Sequence, residues 1–132
     1  MTRFVVDPLA VIELVSEKIE VASSHELLAP TLLRSETLSL VHEAVHRGEI
    51  PADVGRDRLT LIGQIKIRYL GDAVLRRNAW DLAEKLGLPS TFKTEYLALT
   101  RLQADALVAL DAELAQLADN VVPVAGIDDL RR

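Results

Sequence analysis

Short apolar runs of strand length, each followed by a segment of helical period, restrict this chain to one class of fold. Phe4-Val5-Val6 is a β-prone run stopped by Asp7-Pro8, and Leu27-Leu28-Ala29 ends at Pro30. Ile65 to Leu70 alternates, whereas Ala106-Leu107-Val108-Ala109-Leu110 is continuously apolar. A continuous run of that length belongs to a strand buried on both faces of a parallel sheet. Helical spacing predicts helices over Leu9–Val15, Thr31–Arg47, about Ala52–Ile62, Asp72–Leu86, Thr94–Gln103 and Asp111 to about Ala118. Val121–Val124 reads as a closing edge strand, where Pro123 is tolerated. The order β-α-β-α-α-β-α-α-β-α-β predicts an α/β fold with a mostly parallel central sheet between two helical layers. With 132 residues the chain fits one domain over 1–132.

Aromatics make up only 4% of the sequence against 49% apolar residues, so Leu, Val, Ala and Ile must build the core. The absence of cysteine excludes disulfides and thiolate metal sites and is compatible with a reducing cytoplasm. The apolar stretch after Met1 is interrupted by Asp7-Pro8, too early for a signal peptide or a membrane span. A net charge of −5 argues against coating nucleic acid by bulk electrostatics. Positive charge is nonetheless concentrated between Arg56 and Arg77, and acids dominate from Asp105 onward. An acidic site with a basic flank can hold a metal and still attract a phosphate backbone; two ordinary solvated faces would give the same pattern.

Asp7 directly follows the first strand, and Asp111 directly follows the Ala106–Leu110 run. Residues just beyond the carboxyl ends of parallel strands share one edge of the sheet, where open α/β folds place their ligands. Glu36 lies at the margin of an apolar helical face, one turn into the helix after the second strand, and can point back over that edge. Both aspartates also suit helix N-caps, a role compatible with facing the site. Three carboxylates gathered in a partly dry site repel one another. A bound cation resolves the repulsion, and oxygen-only ligands select Mg²⁺ or Mn²⁺.

Four segments in this order resemble the PIN domain, the ribonuclease fold of VapC-type toxins. Phe4 to Ala10 is similar to the family's first strand and first Asp, and Ala29 to Ser39 to its Pro-to-Glu segment, with Glu36 at the second acidic position. Tyr96 to Asp111 resembles the stretch that ends in the last Asp, and Leu114-Ala115 with Val121–Val124 the closing helix and strand. The resemblance implies a metal-dependent ribonuclease, with Mg²⁺ or Mn²⁺ held by Asp7, Glu36 and Asp111. It also implies an RNA substrate, a cognate antitoxin whose arm crosses the acidic site, and a homodimer. Arg34 and the Arg56–Arg77 segment are then candidates for contacts with the RNA backbone.

The chain departs from the family at Lys93, where an Asp usually stands three residues before the tyrosine that Tyr96 matches. Glu95 can supply the missing charge, three acids can suffice, or the site is disabled and the chain is a PIN-fold binding module acting through an antitoxin or RNA. A receiver-like domain would need an acidic pair after the first strand and a lysine near the end of the last. Phe4–Ala10 has one acid, and no lysine follows Lys93. His42 and His46, one turn apart, lie away from the apolar stripe and have no evident third ligand for zinc. Trp80 reads as core or dimer packing.

Overall fold

The structure is a computed structural model describing residues 1–132. The chain runs β1 (Thr2–Val6), α1 (Pro8–Ser16), β2 (His25–Pro30), α2 (Leu32–His46), α3 (Ala52–Gln64), β3 (Ile67–Leu70), α4 (Ala73–Leu86), α5 (Phe92–Gln103), β4 (Ala106–Val108), α6 (Ala112–Ala118) and β5 (Val124–Ala125), and closes with a 3-10 turn at Ile127–Leu130. The five strands form one sheet in the order β3-β2-β1-β4-β5, and every neighbouring pair is parallel. The expected α/β architecture is borne out, with a sheet that is wholly rather than mostly parallel.

Val5 and Val6 on the central strand are both fully buried. Successive strand residues point to opposite faces, so both faces of the sheet are covered. α1, α2 and α3 pack on one another, while α5 packs on α4 and lies across β1, β2 and β4. α5 is buried almost all round, from Tyr96 through Thr100, as a helix in a core must be. Its polar groups are satisfied locally: Thr100 donates to the Tyr96 carbonyl at 2.8 Å, and Thr94 donates to the Ala79 carbonyl of α4 at 2.8 Å. No helix is long and apolar enough to cross a membrane.

Element boundaries moved where hydrogen bonding overrode apolarity. β4 ends at Val108, the residue that pairs with Val6 at the end of β1, so Ala109 and Leu110 leave the sheet. The last strand is Val124–Ala125 rather than Val121–Val124, because the Val121 and Val122 amides donate to the Ala118 carbonyl and close α6. β3 starts at Ile67, since Ile65 caps α3 by donating its backbone N–H to the Ile62 carbonyl. α5 starts two residues before the expected Thr94. Trp80 is not a core residue; it is 63% exposed. His42 and His46 are exposed, as their distance from the apolar stripe requires.

Candidate active site

Asp7 is the pivot of the carboxyl edge. It follows β1, is fully buried, and caps α1 by accepting the Ala10 amide on Oδ1 at 2.8 Å. Its Oδ2 accepts the amide of Asp111 at 2.8 Å, across 104 residues of sequence. One carboxylate therefore starts a helix and also ties β1 to the segment leaving β4. Asp111 in turn caps α6, its Oδ2 accepting the Leu114 amide at 2.9 Å. The cap and site roles share the same side chains because a parallel strand's carboxyl end is also the start of the next helix.

Glu36 reaches this edge from α2. The Tyr96 hydroxyl donates to its Oε1 at 2.7 Å, joining α2 to the buried helix α5. Burial raises the Glu36 carboxyl above its ordinary value; the Tyr96 hydroxyl and the Lys93 charge oppose that, and the charges of Asp7 and Asp111 add to it. Burial likewise raises Asp7, against the stabilising amides of Asp111, Ala10 and Leu110, with the Asp111 charge pushing further up. The Tyr96 phenol is driven strongly upward by burial and by Glu36 and stays a hydrogen-bond donor. The fold thus brings Asp7, Glu36 and Asp111 into one electrostatic neighbourhood.

Glu95 stands beside Glu36. Burial raises its carboxyl first and the Glu36 charge second, while Arg76 opposes them. Lys93 lies beside Asp111, with Nζ 4.0 Å from Asp111 Oδ2 and 3.8 Å from Glu113 Oε2. Asp105 is at the other end of the sheet, accepting the Arg3 amide at 2.8 Å. Sequence reasoning missed two partners, Tyr96 for Glu36 and Glu113 for Lys93. A tyrosine on a buried helix needs an acceptor for its hydroxyl, and that was the available signal.

The basic segment divides between the two edges. Lys66 and Arg68 line a groove of about 840 Å³ with Met1, Ser23 and His25, at the amino ends of the strands and away from the carboxylates. Arg68 pairs there with Glu26 at 3.6 Å. Arg76 and Arg77 fall early in α4, just beyond the carboxyl end of β3. Arg34 stacks its guanidinium over the Tyr69 ring at 4.2 Å, near the same edge.

The donor set suits a hard divalent ion in kind: all oxygen, with a net negative charge and a buried anchor in Asp7. As the side chains lie, no three His, Asp or Glu residues are gathered to coordinate one ion. Asp7 is fixed, so binding requires the carboxylates of Glu36 and Asp111 to turn toward it.

No family model matches the sequence, and no curated protein matches it either. Solved structures do. PAE2754 from Pyrobaculum aerophilum superposes with a TM-score of 0.76 at 17% identity, over 98% of this chain and 92% of that one. A chain of VapBC2 from Rickettsia felis, solved bound to a DNA fragment from their promoter, superposes with a TM-score of 0.62 at 9% identity, over 94% of this chain and 98% of that one. These likenesses establish the fold. At such identities a shared fold does not carry a function, which must be argued from the site.

Proposed function

We propose that this chain is a metal-dependent ribonuclease, the toxin of a VapBC-type toxin–antitoxin pair, hydrolysing RNA phosphodiester bonds with Mg²⁺ or Mn²⁺. The observation that carries the reading is the proximity of Asp7, Glu36 and Asp111, from three separate elements at the carboxyl edge of a parallel sheet, near enough for the charges of Asp7 and Asp111 to act on Glu36. Asp7, Glu36 and Asp111 would hold the ion, which when bound lowers the pKa of a water and stabilises charge building on the phosphate. Tyr96 fixes Glu36 Oε1, and Asp7 holds the backbone of Asp111 in place. Arg34 and Arg76 supply positive charge near the acidic floor for the RNA backbone. The likeness to a VapBC2 chain supports an antitoxin partner; a homodimer and a cytoplasmic location belong to the same reading.

The test is RNA cleavage in Mn²⁺ by the wild type beside Glu36→Gln, whose carboxamide oxygen can still accept from Tyr96. Cleavage that depends on Mn²⁺ and is abolished in the variant supports the reading, and equal rates end it. The Lys93 ammonium beside Asp111 favours a second reading, a PIN-fold module with an impaired site that acts through an antitoxin or RNA. A large gain in Mn²⁺-dependent cleavage by Lys93→Asp would decide for that alternative.

A further inference from the structure

The chain has one tryptophan, two tyrosines and two phenylalanines, and it leaves Trp80 and Phe92 in water, 63% and 59% exposed. A core this poor in aromatics would gain from burying either ring, since each carries a large apolar area. The two are not scattered. α4 and α5 form a hairpin around the short loop at 87–91, and the Thr94 hydroxyl donates to the Ala79 carbonyl at 2.8 Å. That bond fixes the middle of α4 against the first turn of α5. The Arg76 charge reaches Glu95 across the pair, and Glu95 in turn feels Glu36 of the acidic cluster. Trp80 follows Arg76 by one helical turn and Phe92 precedes Glu95 by one, in helices that run in opposite directions. Both rings therefore lie along one side of the hairpin, next to the carboxylates.

Cations accompany the rings. Arg76 and Arg77 stand one turn before Trp80, and Lys93 follows Phe92 directly. The acids within α4, Asp81 and Glu84, come after the ring, so positive charge lies between Trp80 and the acidic cluster. Neither Arg76 nor Arg77 forms a salt bridge within the chain. A flat exposed ring with an unpaired guanidinium one turn away matches a nucleotide, whose base has a π face and whose phosphate is an anion. The faces of paired bases are already stacked inside a duplex, so the matching ligand is an unpaired strand. A second copy of this chain fits less well, because a twofold contact through this face sets the same arginines against each other.

We propose that the Trp80–Phe92 side of the α4–α5 hairpin is a base-stacking subsite for single-stranded RNA: one base lies on Trp80, a neighbouring base on Phe92, and the phosphate between them on Arg76. That the ligand is RNA rests on the nuclease reading of the adjacent carboxylates. Stacking on a ring accepts any base, so the subsite selects unpaired strand over duplex and leaves sequence unread.

Trp80 is the only tryptophan, so its fluorescence reports on this face alone. The full-length chain is titrated with a ten-nucleotide oligouridine in EDTA, where binding is read apart from metal-dependent cleavage. Saturable quenching of the tryptophan is expected, and a duplex of the same length should quench little. Anisotropy of the end-labelled oligonucleotide should show affinity falling about tenfold in Trp80→Ala, the loss of one stacked base, with Trp80→Phe retaining most of it. Arg76→Gln should lower the slope of log affinity against log salt by about 0.7, the share of one phosphate on a single strand. Equal thermal midpoints show that the variants are folded. An unquenched wild type, equal quenching by duplex, or unchanged affinity in Trp80→Ala overturns the proposal. So does a Trp80→Ala protein that turns from dimer to monomer in light scattering while its RNA affinity holds, since a second copy then covers the ring. Quenching that saturates in a chain that cuts no RNA in Mn²⁺ keeps the subsite and overturns the nuclease reading. Cleavage without quenching does the reverse.

Discussion

Replacing Asp7 with alanine removes two hydrogen bonds at once. Oδ1 accepts the Ala10 amide and Oδ2 the Asp111 amide, each at 2.8 Å, from a residue with no exposed surface. Loss of the helix cap costs about 1 kcal/mol. Leaving the Asp111 amide without an acceptor costs a further ~1–3 kcal/mol. Relief from burying a carboxylate, whose proton affinity burial already raises, offsets part of this. The expected net loss is about 2–3 kcal/mol, which for a chain of this length lowers the thermal midpoint by roughly 10 °C. Asp7→Asn should lose less, about 1–2 kcal/mol, because asparagine still caps α1 through its oxygen but turns its donating carboxamide NH₂ toward the other backbone amide. Urea and thermal unfolding of the metal-free chain, followed by far-ultraviolet circular dichroism at neutral pH, read both values. If Asp7→Ala loses less than about 0.5 kcal/mol, the bridge between β1 and the end of β4 contributes nothing and the reasoning fails.

Glu36→Gln carries a pH signature. The raised Glu36 carboxyl binds protons in the folded chain above its ordinary 4.5, so its stabilising contribution is complete below that value and is lost as pH rises through the folded one. The metal-free variant should therefore gain thermal midpoint over the wild type as pH climbs from 4.5 toward neutrality, and a pH-independent difference contradicts this. Tyr96→Phe should cost about 1 kcal/mol in urea unfolding. With the hydroxyl that restrains it gone, the Glu36 carboxyl rises further, so Mn²⁺ affinity should fail at a higher pH than in the wild type. Gly55→Ala should destabilise despite alanine's better helix propensity, by about 1 kcal/mol net in thermal unfolding. Its Cβ would stand 2.6 Å from Val45 Cγ2, and a β-branched side chain in a helix has little room to turn.

What was legible in the sequence was the part written in local chemistry. Asp7-Pro8 announced a strand end and a helix start together, and the structure has both in that place. The apolar run at Ala106 correctly implied a strand covered on both faces, but its length overstated the strand, because β1 offers no partner beyond Val6. Asp105 stands just before β4, and so lies at the opposite edge of the sheet from the candidate site. What was not legible depended on contacts between distant segments. Glu36 owes its orientation to a tyrosine 60 residues away on another helix, and the rotation of α2 against α5 is set by packing. Lys93 was visible as an unexpected residue, while its pairing with Glu113 required the first turns of α5 and α6 to be adjacent in space. Arg68 and Arg76 looked like one basic segment, yet β3 and the loop after it carry them to opposite ends of the sheet.

The claim on which the function depends is that three carboxylates far apart in the chain bind one divalent ion together. A crystal of the wild-type chain soaked in Mn²⁺ and measured for anomalous scattering reads this directly. A single anomalous peak in contact with Asp7, Glu36 and Asp111 is the expected result. A peak bound elsewhere, or none among these three at saturating Mn²⁺, would contradict it.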